Sequence, residues 1–391
     1  MTDKDLILKE WNLNGVPSPS YILHTGLLEA NLAVIDKVRK EAGVEIIVAL
    51  KANATWEIFP LLHQHSDGAT ASSLCEARVV FEEMGCKAHT YAPVYTVDEM
   101  DEILSYSSHI TFNSLSQFQR FGKQAREAGV SCGLRVNPEY STVETDLYNP
   151  CSAQSRLGVR SIDLDEWPEG IEGLHFHALC ESRPKDLRGT LQAVEERFGR
   201  FLPQLKWINM GGGHLMTHKE YDEDELIQIL KEFKQRHPHL RVILEPGSAF
   251  TWDTGVLLAR VEDIVHNGGR NTLMLNVSFA CHMPDCLEMP YQPEIIGMHK
   301  ANEGEEEWYM GGNSCLAGDC CGAWAFDDEG HRPQPGDSIV FRDMIHYTMV
   351  KTTLFNGVSH PSMAIYEPQK GCRVIREFGY EDYKQRMGAL P

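Results

Sequence analysis

Several features are absent from this sequence, and each absence excludes a class of protein. No apolar run approaches the roughly eighteen residues of a membrane-spanning helix. The first residues, Met1-Thr2-Asp3-Lys4-Asp5, lack the basic and then apolar order of a signal peptide. Basic residues are few, because 36 Lys and Arg stand against 56 Asp and Glu in 391 residues, a formal net charge of −20. This balance argues against nucleic-acid or membrane binding and is compatible with a small cationic partner.

The cysteines show no disulfide framework and no metal-binding spacing. There are 11 of them, an odd number scattered along the chain, which predicts reduced thiols and a cytoplasmic location. No second pair at zinc-finger spacing accompanies Cys281-His282 with Cys286, or His214 with His218, so no metal is expected. Repeats and low-complexity tracts are also missing.

Short apolar or β-branched runs alternate with amphipathic stretches in the first two thirds of the chain. The predicted strands are 44–50, 68–71, 88–92, 109–112, 133–136, 173–177, 207–209 and 241–244. The predicted helices include 96–106, 116–128, 187–198 and 222–236. A doubly wound sheet would give the same alternation, but eight strands in about two hundred residues favour a (β/α)8 TIM-like barrel.

After Phe250 the pattern changes to strands separated by turns. The predicted strands are 256–265, 272–277, 338–341 and 364–366, and turn signals such as Asn267-Gly268-Gly269 lie between them. No long amphipathic helix intervenes. The sequence therefore predicts two domains, a barrel over residues 24–250 and a mostly β domain formed by residues 1–23 and 251–391.

Two basic side chains are expected at the carboxyl ends of barrel strands, where such barrels carry their active sites. Lys51 follows the first strand, where an ammonium group is costly to bury. Two interpretations remain: Lys51 is a Schiff-base lysine with a lowered pKa, or it merely reaches solvent at the strand end. His177 follows the sixth strand and shares a strand face with His175. It suits stacking against a flat cofactor ring or a structural hydrogen bond.

Glycines and a carboxylate follow the last two strands. Gly211-Gly212-Gly213 allows backbone N–H groups to approach an anion, and the loops after strands 7 and 8 are the usual phosphate site of such barrels. Glu245-Pro246-Gly247 puts a carboxylate at the barrel mouth, where it can pair with a pyridinium nitrogen or cap a helix. Lysine, histidine, glycine loop and carboxylate together describe a pyridoxal-phosphate pocket.

On these motifs the sequence resembles the fold-type III pyridoxal-phosphate decarboxylases, which include ornithine and diaminopimelate decarboxylases. The resemblance covers roughly residues 18–385. It is strongest to the branch that decarboxylates carboxynorspermidine and carboxyspermidine to norspermidine and spermidine in polyamine biosynthesis. The stretches that carry this closer match are 49–51, 155–159, 176–181, 210–213, 244–247, 315–319, 347–351 and 355–357.

The resemblance implies an alanine-racemase-like barrel with a β-barrel or sandwich domain that takes in a strand near residues 20–23. It also implies a homodimer with shared active sites, to which one subunit contributes the barrel residues and the other the Cys315 loop. Tyr347 matches a tyrosine that reaches the phosphate, and Arg135 an arginine beneath the cofactor. Asp67 and Glu76 match acidic positions around the lysine.

The resemblance assigns the remaining roles as well. Cys315 protonates the α-carbon after decarboxylation. The distal amines of the substrate need carboxylates, and Asp319 is the first candidate because it lies four residues after Cys315. Asp285 and Glu288, in a loop that matches a substrate-facing segment of the family, are weaker candidates. Ser248 stands where relatives acting on ornithine or diaminopimelate usually carry an arginine after Glu-Pro-Gly, so one cationic phosphate partner is missing.

Three alternatives remain open on the sequence. A diaminopimelate or ornithine decarboxylase has the same superfamily motifs, although the Cys315-Leu316-Ala317-Gly318-Asp319 stretch departs from the usual Cys-Glu-Ser form. A catalytically silent pyridoxal-phosphate-binding regulator has no need of both Lys51 and Cys315. A racemase requires a tyrosine opposite the lysine, where this sequence offers a cysteine.

Overall fold

The computed structural model describes residues 11, 13, 15–143, 149–152, 154–289, 291–328 and 330–388. The described residues group into two compact units. One is Asn31–Phe250, and the other joins Met1–Ala30 to Thr251–Pro391. Each unit is built around its own sheet.

The sheet of the first unit is a nearly closed barrel of parallel strands. Its strands are β2 (Glu45–Ile46), β3 (Val48–Ala49), β4 (Ala69–Ala71), β5 (Ala88–Tyr91), β6 (Ser107–Phe112), β7 (Ser131–Arg135), β8 (Gly173–His175), β9 (Trp207–Asn209) and β10 (Arg241–Leu244). The last strand, β10, pairs with β2, while β3 pairs with β4. Only Ile47 separates β2 from β3, and its N–H donates to the Leu244 carbonyl at 2.9 Å. The two edges of the sheet are therefore one chain segment, which confirms the predicted barrel over a doubly wound sheet.

Helices follow most of the barrel strands in the described residues. The α-helices of the described residues are α1 (Thr25–Ala42), α2 (Phe59–Gln64), α3 (Leu74–Val79), α4 (Val97–Tyr106), α5 (Leu115–Glu127), α6 (Pro184–Phe198), α7 (Glu223–Arg236), α8 (Ser248–Thr251), α9 (Phe279–His282), α10 (Asp285–Glu288) and α11 (Tyr380–Met387). Helix α7 shows why they form: the Asp222 side chain caps the Glu225 N–H, and Leu226, Ile229 and Phe233 are buried at helical spacing.

Small residues in neighbouring strands make room for Trp207 in the sheet. Gly133 and Gly173 lie opposite one another in β7 and β8, and Gly173 pairs with Trp207 in β9. A Cβ atom on Gly173 would lie 2.0 Å from the indole, and one on Gly133 would lie 2.3 Å from it. These strands therefore require glycine because a large aromatic ring packs across them.

The second unit contains a mixed sheet. Its strands are β1 (Ser20–His24), β11 (Gly255–Asn267), β12 (Arg270–Leu275), β13 (Met298–Lys300), β14 (Trp308–Gly311), β15 (Cys320–Phe326), β16 (Ser338–Arg342), β17 (Ser362–Glu367) and β18 (Gly371–Arg376). The order is β13-β15-β14-β12-β11-β1-β17-β18, with β16 also paired to β11. The N-terminal strand that the family resemblance implied is present as β1, between β11 and β17.

Neither membrane-spanning helices nor metal clusters occur in the described ranges. No helix there is both long and apolar enough to cross a membrane. The same ranges contain no group of three or more His, Cys, Asp or Glu that could hold a metal ion. All 11 cysteines fall within the described residues, and each is a free thiol.

Candidate active site

Lys51 lies in the turn after β3, at the carboxyl end of the barrel. Its side chain keeps an exposed surface, but the surrounding protein displaces water from it. This desolvation lowers the pKa of Lys51 from its usual 10.5, although the Glu245 charge opposes the shift and Arg135 adds to it. A larger fraction of the amine is therefore neutral, as a nucleophile requires.

Glu245 follows β10 and is 8% exposed. Its Oε1 lies 3.0 Å from Nε2 of His175, and its Oε2 accepts a hydrogen bond from the Asn209 side chain at 3.1 Å. Burial by itself raises the pKa of Glu245, but the interaction with His175 and the charge of Lys51 outweigh it and hold that pKa well below 4.5. The barrel mouth therefore contains a fixed, ionised carboxylate. Asn209, at the end of β9, was not among the predicted site residues; the signal was a polar side chain ending a buried strand.

His177 lies two residues beyond β8 and is half-buried. Its Nδ1 accepts the Gly212 N–H at 3.0 Å, so Nε2 carries the proton of the neutral ring. Burial lowers the pKa of His177 well below 6.5, and the charges of Lys51 and Arg135 act in the same direction. The ring is therefore neutral and fixed by a backbone hydrogen bond, as an aromatic stacking partner should be.

The three consecutive glycines are required first by the packing of the barrel itself. A Cβ atom on Gly211 would lie 2.5 Å from the Phe176 carbonyl oxygen, one on Gly212 2.5 Å from that of Glu245, and one on Gly213 2.3 Å from that of Leu179. Two of the three N–H groups that the sequence assigned to an anion already have acceptors. Gly211 donates to the Asn209 side chain at 2.9 Å, and Gly212 donates to His177.

Arg135 ends β7 with its side chain buried. Its guanidinium carbon lies 4.7 Å from the centre of the Tyr91 ring, and Nη2 is 3.4 Å from the His177 carbonyl oxygen. Tyr91 in turn donates to Asn113 at 2.9 Å. Arg135 is therefore held next to the histidine by a cation–π contact with Tyr91, which sequence reasoning did not identify.

Glu76 and Asp67, the two acidic residues expected near Lys51, have different surroundings. Glu76 accepts the Ser72 N–H at 2.6 Å, and burial raises its pKa while the Lys51 charge opposes the rise. Asp67 instead accepts hydrogen bonds from Arg39 and from the Ile46 N–H, both at 2.9 Å, before β4 begins. The prediction for Asp67 is wrong. Lys51 follows the carboxyl end of β3, whereas Asp67 precedes the amino end of β4, where its carboxylate binds the Ile46 N–H of β2.

In the other unit, Cys315 lies in the loop between β14 and β15 and is exposed. Its N–H donates to the Asn356 side chain at 2.8 Å. Tyr347 is half-buried and meets the His346 ring edge-on. Cys315 and Tyr347 thus belong to the second unit, whereas Lys51, His177 and Glu245 belong to the first.

The three carboxylates predicted to bind the distal amines do not form one cluster around a free space. Asp285 and Glu288 both face Lys351, whose Nζ lies 2.5 Å and 3.4 Å from their oxygens. Asp319 is 4% exposed and accepts three hydrogen bonds from Ala280 and Ser314. Its carboxylate is thus hydrogen-bonded within its own unit, and its role in binding substrate stays a prediction.

A family model described as pyridoxal-dependent decarboxylase, C-terminal sheet domain, matches residues 32–345. The chain belongs to this family and is a carboxy-lyase. It is 49% identical to carboxyaminopropylagmatine decarboxylase of Synechocystis sp., over 98% of both chains. It is 40% identical to carboxynorspermidine/carboxyspermidine decarboxylase of Campylobacter jejuni subsp. jejuni, over 95% of this chain and 98% of that one. These findings confirm the family resemblance and its polyamine-forming branch.

Solved structures agree on the fold. The crystal structure of Campylobacter jejuni carboxynorspermidine decarboxylase complexed with norspermidine superimposes with a TM-score of 0.87 at 39% identity, covering 95% of this chain and 100% of that chain. Diaminopimelate decarboxylase from Helicobacter pylori gives a TM-score of 0.80 at 18% identity, covering 97% and 99%. The second likeness supports the barrel and sheet architecture alone.

Proposed function

We propose that this chain binds pyridoxal phosphate and decarboxylates carboxynorspermidine or carboxyspermidine. Each of these substrates has an amino-acid head and a cationic amine tail. The observation that carries the proposal is the ionised Glu245 beside Lys51 and His177 at the carboxyl end of one barrel. The small cationic substrate also suits a chain of net charge −20, whereas nucleic acid and membrane do not.

The barrel residues fit the cofactor by their chemistry. A lysine with a lowered pKa suits the aldehyde carbon, a neutral imidazole suits the ring face, and a buried carboxylate held ionised suits a protonated ring nitrogen. When bound, the cofactor accepts the electron pair that remains on the α-carbon as carbon dioxide leaves. Lys51 would hold the cofactor, His177 would cover its ring, and Glu245 would keep the nitrogen proton in place.

Phosphate binding would rest on few groups. Gly211 and Gly212 use their N–H groups within the barrel, so among the three glycines Gly213 is the one to consider as a donor. Gly247 and the hydroxyl of Tyr347 are the other assigned contacts. Ser248 supplies no positive charge at the position where an arginine is usual, so neutral donors would carry the binding.

The reaction breaks the bond from the α-carbon to the carboxylate and must deliver one proton to that carbon. Cys315 is the assigned donor, because a thiol in an exposed loop can reach a bound molecule. We further propose a homodimer in which Cys315 of the partner subunit completes each site. Arg135 would support the cofactor from below, where Tyr91 fixes its guanidinium.

The amine tail needs negative charge at the far end of the site. Asp285 and Glu288 lie close together around one cation, Lys351, so the three groups carry a net charge of −1 when all are ionised. A substrate ammonium would add a second cation to this cluster. Asp285 is the stronger candidate of the two because its side chain is the more buried.

A second candidate substrate is carboxyaminopropylagmatine. The observation that favours it is the 49% identity to the Synechocystis relative, against 40% for the Campylobacter one. Both substrates share the amino-acid head, so Lys51, His177 and Cys315 would act identically on them. They differ in the tail, where a planar guanidinium replaces an ammonium and suits paired contacts with a carboxylate.

Trapping the cofactor tests the proposal at its first step. Borohydride reduction of the purified holoenzyme, followed by peptide mass spectrometry, should place a phosphopyridoxyl group on Lys51. The Lys51→Ala variant should show none and should not turn over any of the three acids. A modified lysine elsewhere, or an unmodified active enzyme, would refute the proposal.

A further inference from the structure

The carboxylate of Asp319 is bound on both oxygens. Oδ1 accepts the Ala280 N–H at 3.1 Å, and Oδ2 accepts the Ser314 N–H at 3.1 Å and the Ser314 hydroxyl at 2.6 Å. The residue is 4% exposed. A substrate cation would have to compete with these donors in a place that solvent hardly reaches, so the arrangement suits an internal anchor better than a ligand site.

Asp319 also closes the loop that carries Cys315. The Gly312 N–H donates to the Asp319 carbonyl at 2.7 Å, and the Asp319 N–H donates to the Leu316 carbonyl at 2.9 Å. Any Cβ atom on Gly312 would lie 2.3 Å from the Asp319 carboxylate. Residues 312–319 therefore form a compact loop whose two ends are packed against each other.

A second anchor fixes the residue next to Ser314. The Cys315 N–H donates to Oδ1 of Asn356, which has a left-handed backbone with φ of 56°. Helix α9 joins the two anchors, because its Ala280 N–H binds Asp319 and its Cys281 carbonyl accepts the Thr353 N–H at 2.9 Å. The backbone of Ser314 and Cys315 is thus held from two sides, while the Cys315 thiol remains exposed.

We propose that Asp319 is a positioning residue for proton delivery: through Ser314, it fixes the backbone from which the Cys315 thiol reaches the α-carbon. The inference rests on the proposed role of Cys315 as the proton donor. A displaced thiol would slow protonation of the α-carbon, so that the proton would add to the cofactor instead. Hydrolysis by one water would then release the decarboxylated substrate as an aldehyde and leave its amino group on the cofactor.

The test compares Asp319→Asn and Ser314→Ala with two controls. Asp319→Asn keeps the size of the side chain but turns a donor amide toward the Ser314 N–H. Ser314→Ala removes the hydroxyl, which donates to Asp319 and accepts the Leu316 N–H, and it serves if the first variant folds poorly. Glu303→Gln changes one exposed carboxylate of the same unit. Asp285→Asn changes the stronger candidate for binding the substrate tail.

Holoenzyme kinetics should separate the two roles of Asp319. Positioning predicts that Asp319→Asn lowers kcat about tenfold or more, keeps KM within about twofold and raises the share of turnovers that end in aldehyde. Ser314→Ala should show the same pattern more weakly, and Glu303→Gln none of it. A rise in KM of about tenfold with kcat kept, matching Asp285→Asn, would assign Asp319 to the substrate and overturn the proposal.

Hydrogen exchange gives a reading that needs no turnover. In Asp319→Asn, the amides of peptide 312–319 should exchange about tenfold faster or more, because the Ser314 N–H group loses its carboxylate acceptor and the loop around it is no longer anchored. Unchanged protection would overturn the proposal. Faster exchange in an enzyme that decarboxylates none of the three acids would instead overturn the proposed function and leave the anchoring of the loop supported.

Discussion

Nε2 of His175 lies 3.0 Å from Oε1 of Glu245, and both side chains are buried in the barrel. Burial lowers the pKa of His175 below 6.5, so the ring is neutral at pH 7 and donates its Nε2 proton to the carboxylate. Asn209 donates to the other oxygen. The carboxylate assigned to the cofactor nitrogen is thus itself held by two neutral donors.

Replacing His175 should make the Glu245 carboxylate easier to protonate while leaving the side chain in place. In His175→Leu the pKa of Glu245 should rise, because a hydrogen bond to a charged acceptor is lost, and kcat should fall about tenfold or more. The ¹⁵N shift of ring-labelled cofactor should move from the protonated toward the neutral form. His175→Gln, which keeps a donor, should recover part of both readings; an unchanged shift in His175→Leu would contradict the role.

Cys315→Ala should keep the absorbance of bound cofactor and lower kcat by about a hundredfold or more, the range for loss of a general acid. Product analysis should find misdirected protonation among the remaining turnovers. Cys86→Ala, a half-buried thiol of the barrel unit, is the matched control and should leave turnover unchanged. An unaltered rate in Cys315→Ala would remove the cysteine from the mechanism.

Gly212→Ala should destabilise the barrel by about 1–3 kcal/mol, because the new Cβ atom meets a backbone carbonyl that cannot move freely. That carbonyl belongs to Glu245, at 2.5 Å, so cofactor affinity should fall as well. Gly199→Ala is the control, since a Cβ atom there has no neighbour within 4 Å. Urea unfolding and cofactor titration measure both effects, and equal behaviour of the two variants would contradict the packing argument.

Buried histidines should make the protein sensitive to mild acid. Burial lowers the pKa of His214 and of His282 from 6.5 to about 4. The unfolded chain therefore binds protons that the folded chain does not, so this contribution to stability is complete above pH 6.5 and is lost as the pH falls toward 4.

His214 offers the cleanest test of that sensitivity, since neither ring nitrogen has a hydrogen-bond partner among the described residues. The unfolding free energy of His214→Leu should fall less than that of the natural protein between pH 7.5 and pH 5. Parallel losses in the two proteins would show that His214 does not carry this effect.

Regular alternation made the barrel predictable from the sequence. Each of the eight predicted barrel strands is present, and Lys51, His177 and Glu245 act on one another electrostatically as strand-end residues of a barrel should. The position of a residue along a strand is fixed by its sequence, whereas its hydrogen-bond partners depend on other strands. The contacts of Glu245 with His175 and Asn209 could therefore not be derived.

Two further assignments from sequence position also missed the hydrogen-bond partners of the side chain. The family resemblance placed Asp67 near the lysine, but Asp67 precedes β4 and binds Arg39 at the amino end of that strand. Asp319 lies four residues after Cys315, which suggested a shared substrate; the loop folds back and directs its carboxylate to Ala280 and Ser314. Strands β13, β14 and β15 were not predicted because they are short or rich in glycine and cysteine, without clear alternation.

The most direct measurement is a competition between substrates, read by mass spectrometry of the products. The purified holoenzyme would receive equal concentrations of carboxynorspermidine, carboxyspermidine, carboxyaminopropylagmatine, diaminopimelate and ornithine. The account predicts loss of carbon dioxide from at least one of the first three acids, with no lysine or putrescine formed over the same period. Preferential formation of lysine or putrescine, or loss of carbon dioxide from none of the five, would contradict it.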